Sequence, residues 1–535
     1  KLAIRILFIP SPLSVVSFFD KPTMSVVTQV QVVDGIALPQ IFSGLRSSKE
    51  DERNRYAVEL RNYLASVARD LPSEQFNRYN NDINKEIFEL LNLNVASEKL
   101  GGIAALNALI DFDSGVGEES ATKTARFSNY LAGLILLNDL TIMKQATKTL
   151  GKLATPGGTL TADFVDFEAK RAIEWLQSDS RQHESRRHAA ILIITALSDN
   201  APTLLYPFIN QILEHLWIPL RDHKTIIRTD AAVALQRCIS IIYDRDVDNR
   251  KFWIKNLIDL ASKVLNERQS AINNTSLYEE ETPLGQAAST AYNLVASTTL
   301  GTQSLDVIHG LLLVYRELVK YHEDPYIQAK FELIFESTIL YKSNKVPVIR
   351  QELTKIFPLL CRVNPLHFVE NYLHRTLLYY LLQLKKYRNS YLDVANADKS
   401  AIFRSIGLIS LEVGNQIATY LDAILDNIRE SLSYPANSSV QLIIVNAVTG
   451  SENIGLVNGS DPGSNDKTTG SGGNGSSSGA LALLSTSISG SSKYKASRRD
   501  TEPAIFDCIG KLSIAVGPAL TKHLQRDILD MMFSN

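Results

Sequence analysis

The stretch TLTADFVDFEAKRAIEWL, residues 159–176, decides the fold class of this chain. Apolar residues recur in it three or four positions apart, and charged residues fall between them. This spacing places the apolar side chains on one face of an α-helix and the charged side chains on another. The apolar set is Phe164, Val165, Ala169, Ala172, Ile173 and Leu176. Since no stretch alternates with a period of two for long enough to indicate a strand, we predict an all-α protein.

Helical segments of this kind recur along the whole chain. Helix after helix opens with a basic residue followed by small and apolar residues, at intervals of 41 to 46 residues over the first five examples. Those examples are Arg53, Lys99, Lys144, Arg187 and Arg228. The interval is typical of HEAT and armadillo repeats, in which neighbouring helical hairpins bury a continuous core. We therefore predict a HEAT/armadillo-type α-solenoid of stacked helical hairpins.

A second regularity places a short polar residue six positions before the basic one in four of these units. The pairs are Asn138 and Lys144, Asp222 and Arg228, Asn344 and Arg350, and Asp393 and Lys399. An Asp or Asn at that position can accept hydrogen bonds from free amides at a helix start. We predict that each basic residue meets the Asp or Asn of the next unit, which forms a structural ladder. The alternative is a chance arrangement of common surface residues.

The composition divides the chain into four predicted regions. The sequence begins with an apolar stretch that is interrupted by Pro10 and Pro12, which favours an unstructured leader over a secretory signal. Gly, Ser and Asn dominate a later stretch, which favours a flexible insertion. The predicted regions are a weakly ordered leader at 1–45, a HEAT solenoid at 46–434 with a loop insertion near 267–303, a flexible insertion at 435–500, and a truncated continuation of the solenoid at 501–535.

The residue types that form catalytic, metal-binding or phosphate-binding sites in other proteins form no recognisable site in this sequence. The net charge of -2 argues against nucleic acid as a partner, because phosphate-binding surfaces show basic excess. The three cysteines, Cys238, Cys361 and Cys508, lie too far apart to suggest a metal site or a disulfide framework. GSGGNG at 470–475 neither follows a predicted strand nor opens a helix, so it is no phosphate loop. We predict no catalytic, cofactor-binding or metal-binding residue, no cofactor and no transmembrane segment.

Three short basic clusters are candidates for contact with acidic partners or membrane phosphoinositides. They are Arg186–His188, Lys385–Arg388 and Arg498–Arg499. The alternative for each cluster is a solvated helix end.

Ordered blocks of sequence resemble one known family. The blocks are GGIAALNALID at 101–111, RFSNYL at 126–131, TLGKLA at 149–154, residues 159–176, ESRRHAAILI at 184–193, DVIHGLLLVYRELV at 306–319, IFRSIGLISLEVG at 402–414 and IFDCIGKLSIAVGPAL at 505–520. In this order they resemble the N-terminal HEAT region of TOR (target of rapamycin) serine/threonine kinases, in a fungal-like form. The likeness covers most of residues 50–535. The insertion at 435–500 and the apolar leader depart from the family pattern.

The resemblance implies a function that the repeats alone do not. In TOR kinases the HEAT solenoid holds Raptor-type or Rictor-type subunits and supports a dimeric complex in nutrient-responsive growth signalling. ATP and a divalent metal would belong to a kinase region, and no family catalytic residue can be carried over to this chain. The implied location is the cytoplasm, with an endomembrane (vacuole or lysosome) surface as a peripheral site. The alternative from the repeats alone is a free-standing HEAT adaptor or transport receptor.

Overall fold

A computed structural model gives the fold of this chain. It describes residues 38–112, 118–155, 159–177, 183–243, 245–277, 301–388, 393–432 and 501–523. Over these ranges the regular secondary structure is helical, and none of the residues lies in a strand. The prediction of an all-α fold is confirmed. The chain divides into two compact units, residues 1–158 and residues 159–535.

The first unit contains six described helices. They are α1 (Leu38–Leu45), α2 (Glu50–Asp70), α3 (Ser73–Asn92), α4 (Ala96–Phe112), α5 (Glu118–Ile135) and α6 (Leu140–Lys152). These helices form three hairpins, α1 with α2, α3 with α4, and α5 with α6. The second helix of each hairpin packs on the second helix of the next, so α2, α4 and α6 form one layer. We call these helices the inner layer and their hairpin partners the outer layer.

The second unit repeats this arrangement with longer and more broken outer helices. Its first helices are α7 (Thr159–Gln177), α8 (Glu184–Asn200), α9 (Pro202–Leu205), α10 (Ile209–His215), α11 (Trp217–Leu220), α12 (Thr225–Tyr243) and α13 (Val247–Leu277). Those that follow are α14 (Gly301–Val319), α15 (Pro325–Ala329), α16 (Phe331–Ile339), α17 (Pro347–Val363), α18 (Pro365–Asn371), α19 (Leu373–Lys386), α20 (Asp393–Val413), α21 (Leu421–Leu432), α22 (501–516) and α23 (Pro518–His523).

The inner layer of the second unit runs through α8, α12, α14, α17 and α20, each packed on the next. Its core consists of aliphatic and aromatic side chains between the two layers, and Leu235, Tyr315, Phe357 and Phe403 are fully buried. Because each hairpin buries its apolar face against its neighbours, the core continues from repeat to repeat. This is the packing of a HEAT-type repeat protein, as the sequence predicts.

Helix α7 shows how the quoted stretch encodes its fold. Five of its six apolar residues, Val165, Ala169, Ala172, Ile173 and Leu176, are buried. Lys170 and Glu174 are exposed on the opposite face. Burial of the apolar stripe against α8 stabilises the helix by removing hydrocarbon from water.

Two of the predicted boundaries differ from the helix bounds in the structure. Helix α1 lies inside the stretch 1–45 that we predicted as a leader, and its Ile41, Phe42 and Leu45 are buried. The leader prediction is therefore wrong for residues 38–45, because these apolar residues pack on α2 and α4. Helix α13 continues to Leu277 and α14 begins at Gly301, so helices enter the predicted loop from both sides. The predicted insertion at 435–500 lies outside the described residues.

Candidate interaction surface

The spacing of six residues has a clear structural basis in three repeats. Arg228 donates from Nη1 to the backbone carbonyls of Asp222, at 2.6 Å, and His223, at 3.1 Å. Arg350 makes the same contacts with the carbonyls of Asn344 and Lys345, both at 2.8 Å. Each guanidinium therefore holds the loop that leads into its own helix, and charge-assisted bonds of this kind are strong.

Arg53 repeats this contact in the first unit. It donates to the carbonyls of Ser47 and Ser48, both at 2.9 Å. A serine occupies the sixth position before it, so the backbone carbonyl rather than an Asp or Asn side chain is the common acceptor.

The Asp and Asn side chains at these positions accept hydrogen bonds two residues ahead. Asp222 Oδ1 accepts from the amide of Lys224 at 3.0 Å, and Asn344 Oδ1 accepts from the amide of Val346 at 2.9 Å. Ahead of α6 the capping residue is Asp139, which accepts from the amides of Thr141 and Ile142. The cap is therefore one residue after Asn138. These short side chains stabilise the turns by satisfying free amides.

Three ion pairs connect inner helices of the second unit to the next repeat, either to its inner helix or to the loop before that helix. Arg187 of α8 donates to Asp222 at 2.7 Å, and both side chains are buried. Arg228 of α12 donates to Asp306 of α14 at 2.6 Å. Arg350 of α17 donates to Asp398 of α20 at 2.7 Å. We call these three pairs the inner ladder.

The inner ladder uses some of the predicted residues and replaces others. Asp222, Arg228 and Arg350 belong to it, whereas Asn344 stays with its own turn. The acceptors for Arg228 and Arg350 are Asp306 and Asp398, which the sequence pattern did not include. Of the predicted pair Asp393 and Lys399, Asp393 is the first residue of α20. Lys399 lies further along the same helix, where burial lowers its pKa. Lys144 is exposed on α6.

The first two basic clusters have different surroundings. Arg187 and His188 are buried, and His188 Nε2 lies 2.8 Å from a carboxylate oxygen of Asp230. These two residues are therefore part of the repeat interface and not of a surface patch, whereas Arg186 is exposed. In the second cluster Lys385 and Lys386 are exposed at the end of α19. The cluster Arg498–Arg499 lies outside the described residues.

A second buried charge group lies between α14 and α17. Glu317 and Glu352 are both buried, and Arg316 contacts both carboxylates. Lys320 pairs with Glu317, and Lys355 pairs with Glu352 at 2.8 Å. Sequence analysis missed this group because its residues fall outside the spacing of six. We call these five residues the glutamate cluster.

His309 lies beside the inner ladder on α14 and is buried. Its Nδ1 accepts a hydrogen bond from Arg228 Nε at 2.9 Å. Burial, followed by the positive charges of Arg228, Lys355 and Arg316, lowers the pKa of His309 to about 3. The imidazole is therefore neutral at physiological pH and acts as an acceptor.

We expect His309 to make the second unit less stable in acid. Its folded-state pKa lies below the ordinary value of 6.5, so the unfolded chain binds the proton first. Stability is lost as the pH falls from about 6.5 towards 3, and the loss by pH 5 is about 2 kcal/mol. His309→Gln retains an acceptor without titrating in this range. Urea unfolding of both proteins at pH 7 and pH 5 should show a smaller loss for His309→Gln; equal losses would contradict this assignment.

The cysteines and the other metal-binding residue types do not form a reactive centre in the part of the chain that the structure describes. Burial raises the pKa of Cys238 and of Cys508 to about 12, and it raises that of Cys361 further. The thiols are therefore protonated and unreactive at neutral pH. Across the described ranges, no three side chains of His, Cys, Asp or Glu come together as a metal site. No described helix is long and apolar enough to cross a bilayer.

Comparison with known proteins identifies homologues of this chain. No family model matches the chain. The serine/threonine-protein kinase TOR2 of Saccharomyces cerevisiae is 38% identical over 501 residues, which are 92% of this chain. The chain is homologous to the TOR kinases. The TOR kinase tor1 of Schizosaccharomyces pombe is 33% identical over 75% of this chain, and the TOR kinase of Oryza sativa is 26% identical over 70%.

The homology covers a small, N-terminal part of these TOR relatives. The chain spans 16% of the length of the budding-yeast TOR kinase and 15% of that of the fission-yeast TOR kinase. The sequence-based resemblance to TOR kinases is confirmed.

Solved structures resemble the TOR-homologous chain only loosely. Yeast importin-beta (Kap95p) aligns with 96% of this chain and 55% of its own, at a TM-score of 0.42 and 12% identity. A second importin-beta structure aligns with 93% of this chain and 60% of its own, at a TM-score of 0.44. At these scores the likeness says nothing about function.

Proposed function

We propose that this chain is a non-catalytic scaffold of a TOR-type serine/threonine kinase, and that it docks regulatory subunits of Raptor or Rictor type. The homology to TOR kinases over 92% of the chain carries this proposal. Repeat proteins of this architecture present long ridged surfaces, which suit binding rather than catalysis. In this proposal the kinase activity, ATP and a divalent metal belong to a kinase region outside this chain. The proposed location is the cytoplasm, with a peripheral position at a vacuolar or lysosomal membrane surface.

The outer layer of the second unit offers a surface for such a subunit. Leu378 and Leu382 lie one turn apart on α19 and are 47% and 57% exposed. Residues four apart on a helix share a face, so the two leucines form one apolar strip. Lys385 and Lys386 follow the strip at the end of the helix. A strip of this kind, with exposed charges at its edge, matches the apolar centre and polar rim of protein interfaces.

We expect the full chain to capture a purified Raptor-type subunit from the same organism, and the leucine strip to be required. Leu378→Asp with Leu382→Asp puts two charges into the proposed interface and should weaken binding about 100-fold. The control is Leu93→Asp with Leu136→Asp, two exposed leucines of the first unit, which should change binding by less than about threefold. Biolayer interferometry measures both effects.

Three further results bear on the proposal. Failure of Raptor-type and Rictor-type subunits alike to bind the native chain would contradict the scaffold assignment. Phosphate transfer from ATP to a protein substrate by the purified chain would contradict its non-catalytic part. Equal binding by the strip variant and the control would reject the leucine strip as the contact.

A further inference from the structure

Three inner helices of the first unit line a groove of about 320 Å³. Each helix contributes a stripe of residues spaced three or four apart, which is the spacing of one helix face. The floor carries small side chains, among them Ala57 of α2 and Ala104 and Ala108 of α4. Small side chains keep the floor low, so the groove has room for a chain lying across the helices.

A carboxamide side chain faces this groove from each of the three helices. They are Asn54 of α2, Asn107 of α4 and Gln145 of α6. Asn54 is exposed, and Asn107 and Gln145 are half-buried. None of the three side chains makes a hydrogen bond within the described residues. A carboxamide offers donors and an acceptor together, which is the pattern that a peptide group of an extended backbone also presents.

The groove has an excess of positive charge. Arg61 and Lys148 face it, and neither forms an ion pair with any residue that the structure describes. The carboxylate of Asp111 is bound by Lys152 at 2.9 Å. Glu50 supplies a negative charge, whereas Arg53 adds a further positive one that is bound to neutral carbonyls. A ligand with negative charge would therefore find complementary charge in the groove.

We propose that this groove binds an extended, acidic peptide segment of a partner protein. The three carboxamides pair with the peptide backbone, and Arg61 and Lys148 pair with acidic side chains. Packed helices lie about 8–10 Å apart, and an extended chain advances about 3.3 Å per residue. A segment that crosses the three helices therefore meets a new helix about every third residue, and roughly six to nine residues span the groove.

A peptide suits the groove better than a single-stranded nucleic acid does. Bases are held largely by stacking on aromatic rings, and no aromatic residue lines this groove. The alanine floor instead accommodates short side chains between the backbone contacts. The proposal does not depend on subunit docking through α19, because that helix belongs to the other unit.

The test uses the full chain and fluorescence anisotropy. The probe is a fluorescein-labelled dodecapeptide of alternating Glu and Thr, and the comparison peptide has Lys in place of Glu. We expect the acidic peptide to bind at least about tenfold more tightly than the basic one. Arg61→Glu with Lys148→Glu should weaken acidic-peptide binding about 30-fold and improve binding of the basic peptide. This gain of binding cannot arise from a variant that fails to fold.

Matched variants separate the groove from general surface charge. Arg55→Glu with Arg78→Glu reverses two exposed charges outside the groove lining and should leave binding within about twofold. Asn54→Ala, Asn107→Ala and Gln145→Ala together should weaken acidic-peptide binding about tenfold. Equal binding of the two peptides, or an unchanged affinity in the charge-reversed groove, would overturn the proposal. Tighter binding of fluorescein-labelled oligo-dT of twelve nucleotides would overturn it in favour of nucleic acid.

Discussion

Arg316→Met is expected to destabilise the second unit by about 3–5 kcal/mol, because it removes the shared partner of two buried carboxylates. Arg316 contacts both Glu317 and Glu352, which are 2% and 1% exposed. Without the guanidinium, each glutamate keeps one lysine at the edge of the cluster, and the two negative charges face each other in a site with little water. Unfolding relieves this cost, so the variant unfolds at lower denaturant concentration.

An exposed arginine pair provides the matched control for this prediction. Arg375 binds Glu336 at 2.6 Å, and the two side chains are 46% and 48% exposed. Arg375→Met should cost less than about 1 kcal/mol, because water screens the pair and solvates the remaining carboxylate.

A rescue identifies the cause of the loss. Glu352→Gln in the Arg316→Met background removes one of the two charges and should restore part of the stability. The measurement is urea unfolding of the single, double and control variants, monitored by circular dichroism. If Arg316→Met and Arg375→Met cost the same, the glutamate cluster does not have the proposed role.

Gly310→Ala is expected to cost about 3 kcal/mol, because the new methyl group has no space. A Cβ atom at this position would lie 1.9 Å from the backbone carbonyl oxygen of Leu220, at the end of α11. A side chain in the way could rotate, whereas a backbone carbonyl moves only if the helices separate. The expected result is faster hydrogen exchange in α14 and α11 together with a lower unfolding midpoint.

Gly133 is the matched control, because it is also a glycine within a helix. Nothing lies within 4 Å of a Cβ placed there. Gly133→Ala should therefore stabilise the first unit by about 0.5–1 kcal/mol, since alanine has the higher helix propensity. A loss at Gly133 as large as that at Gly310 would contradict close packing as the cause of the effect at Gly310.

The fold class was predictable because helix periodicity is a local property of the sequence. In α7 the apolar spacing alone identified the buried face, and tertiary contacts did not change it. The boundary of the leader was less predictable. Helix α1 is short, and its buried residues depend on packing against α2 and α4, which local sequence does not reveal.

The partners in the inner ladder were only partly predictable. The spacing of six selected Arg228 and Arg350 for contacts with the next unit. Both residues also hold the turn before their own helix, which we did not predict. The acceptors Asp306 and Asp398 come from the next repeat, and their choice depends on how one helix sits against another. The spacing pattern selected Lys399, and the residue that pairs with Arg350 is its direct neighbour, Asp398.

The sequence also did not show which glycines are closely packed against a neighbouring helix or loop. Gly101 and Gly310 both lie against a backbone carbonyl, of Leu45 and Leu220 respectively, whereas Gly133 does not. The sequence alone does not distinguish the three residues, since each is a glycine within a helix. Their different roles follow from the distance between helices, which only the folded structure gives.

The most direct test of the account is the equilibrium affinity of the full chain for a purified Raptor-type subunit from the same organism. A scaffold that holds this subunit should bind it with a dissociation constant below about 1 μM, as expected for a stable interface of ordinary size. Binding in that range, lost when Leu378 and Leu382 become Asp, is the predicted result. The absence of binding at about 100 μM, with a Rictor-type subunit equally inactive, would contradict the central claim.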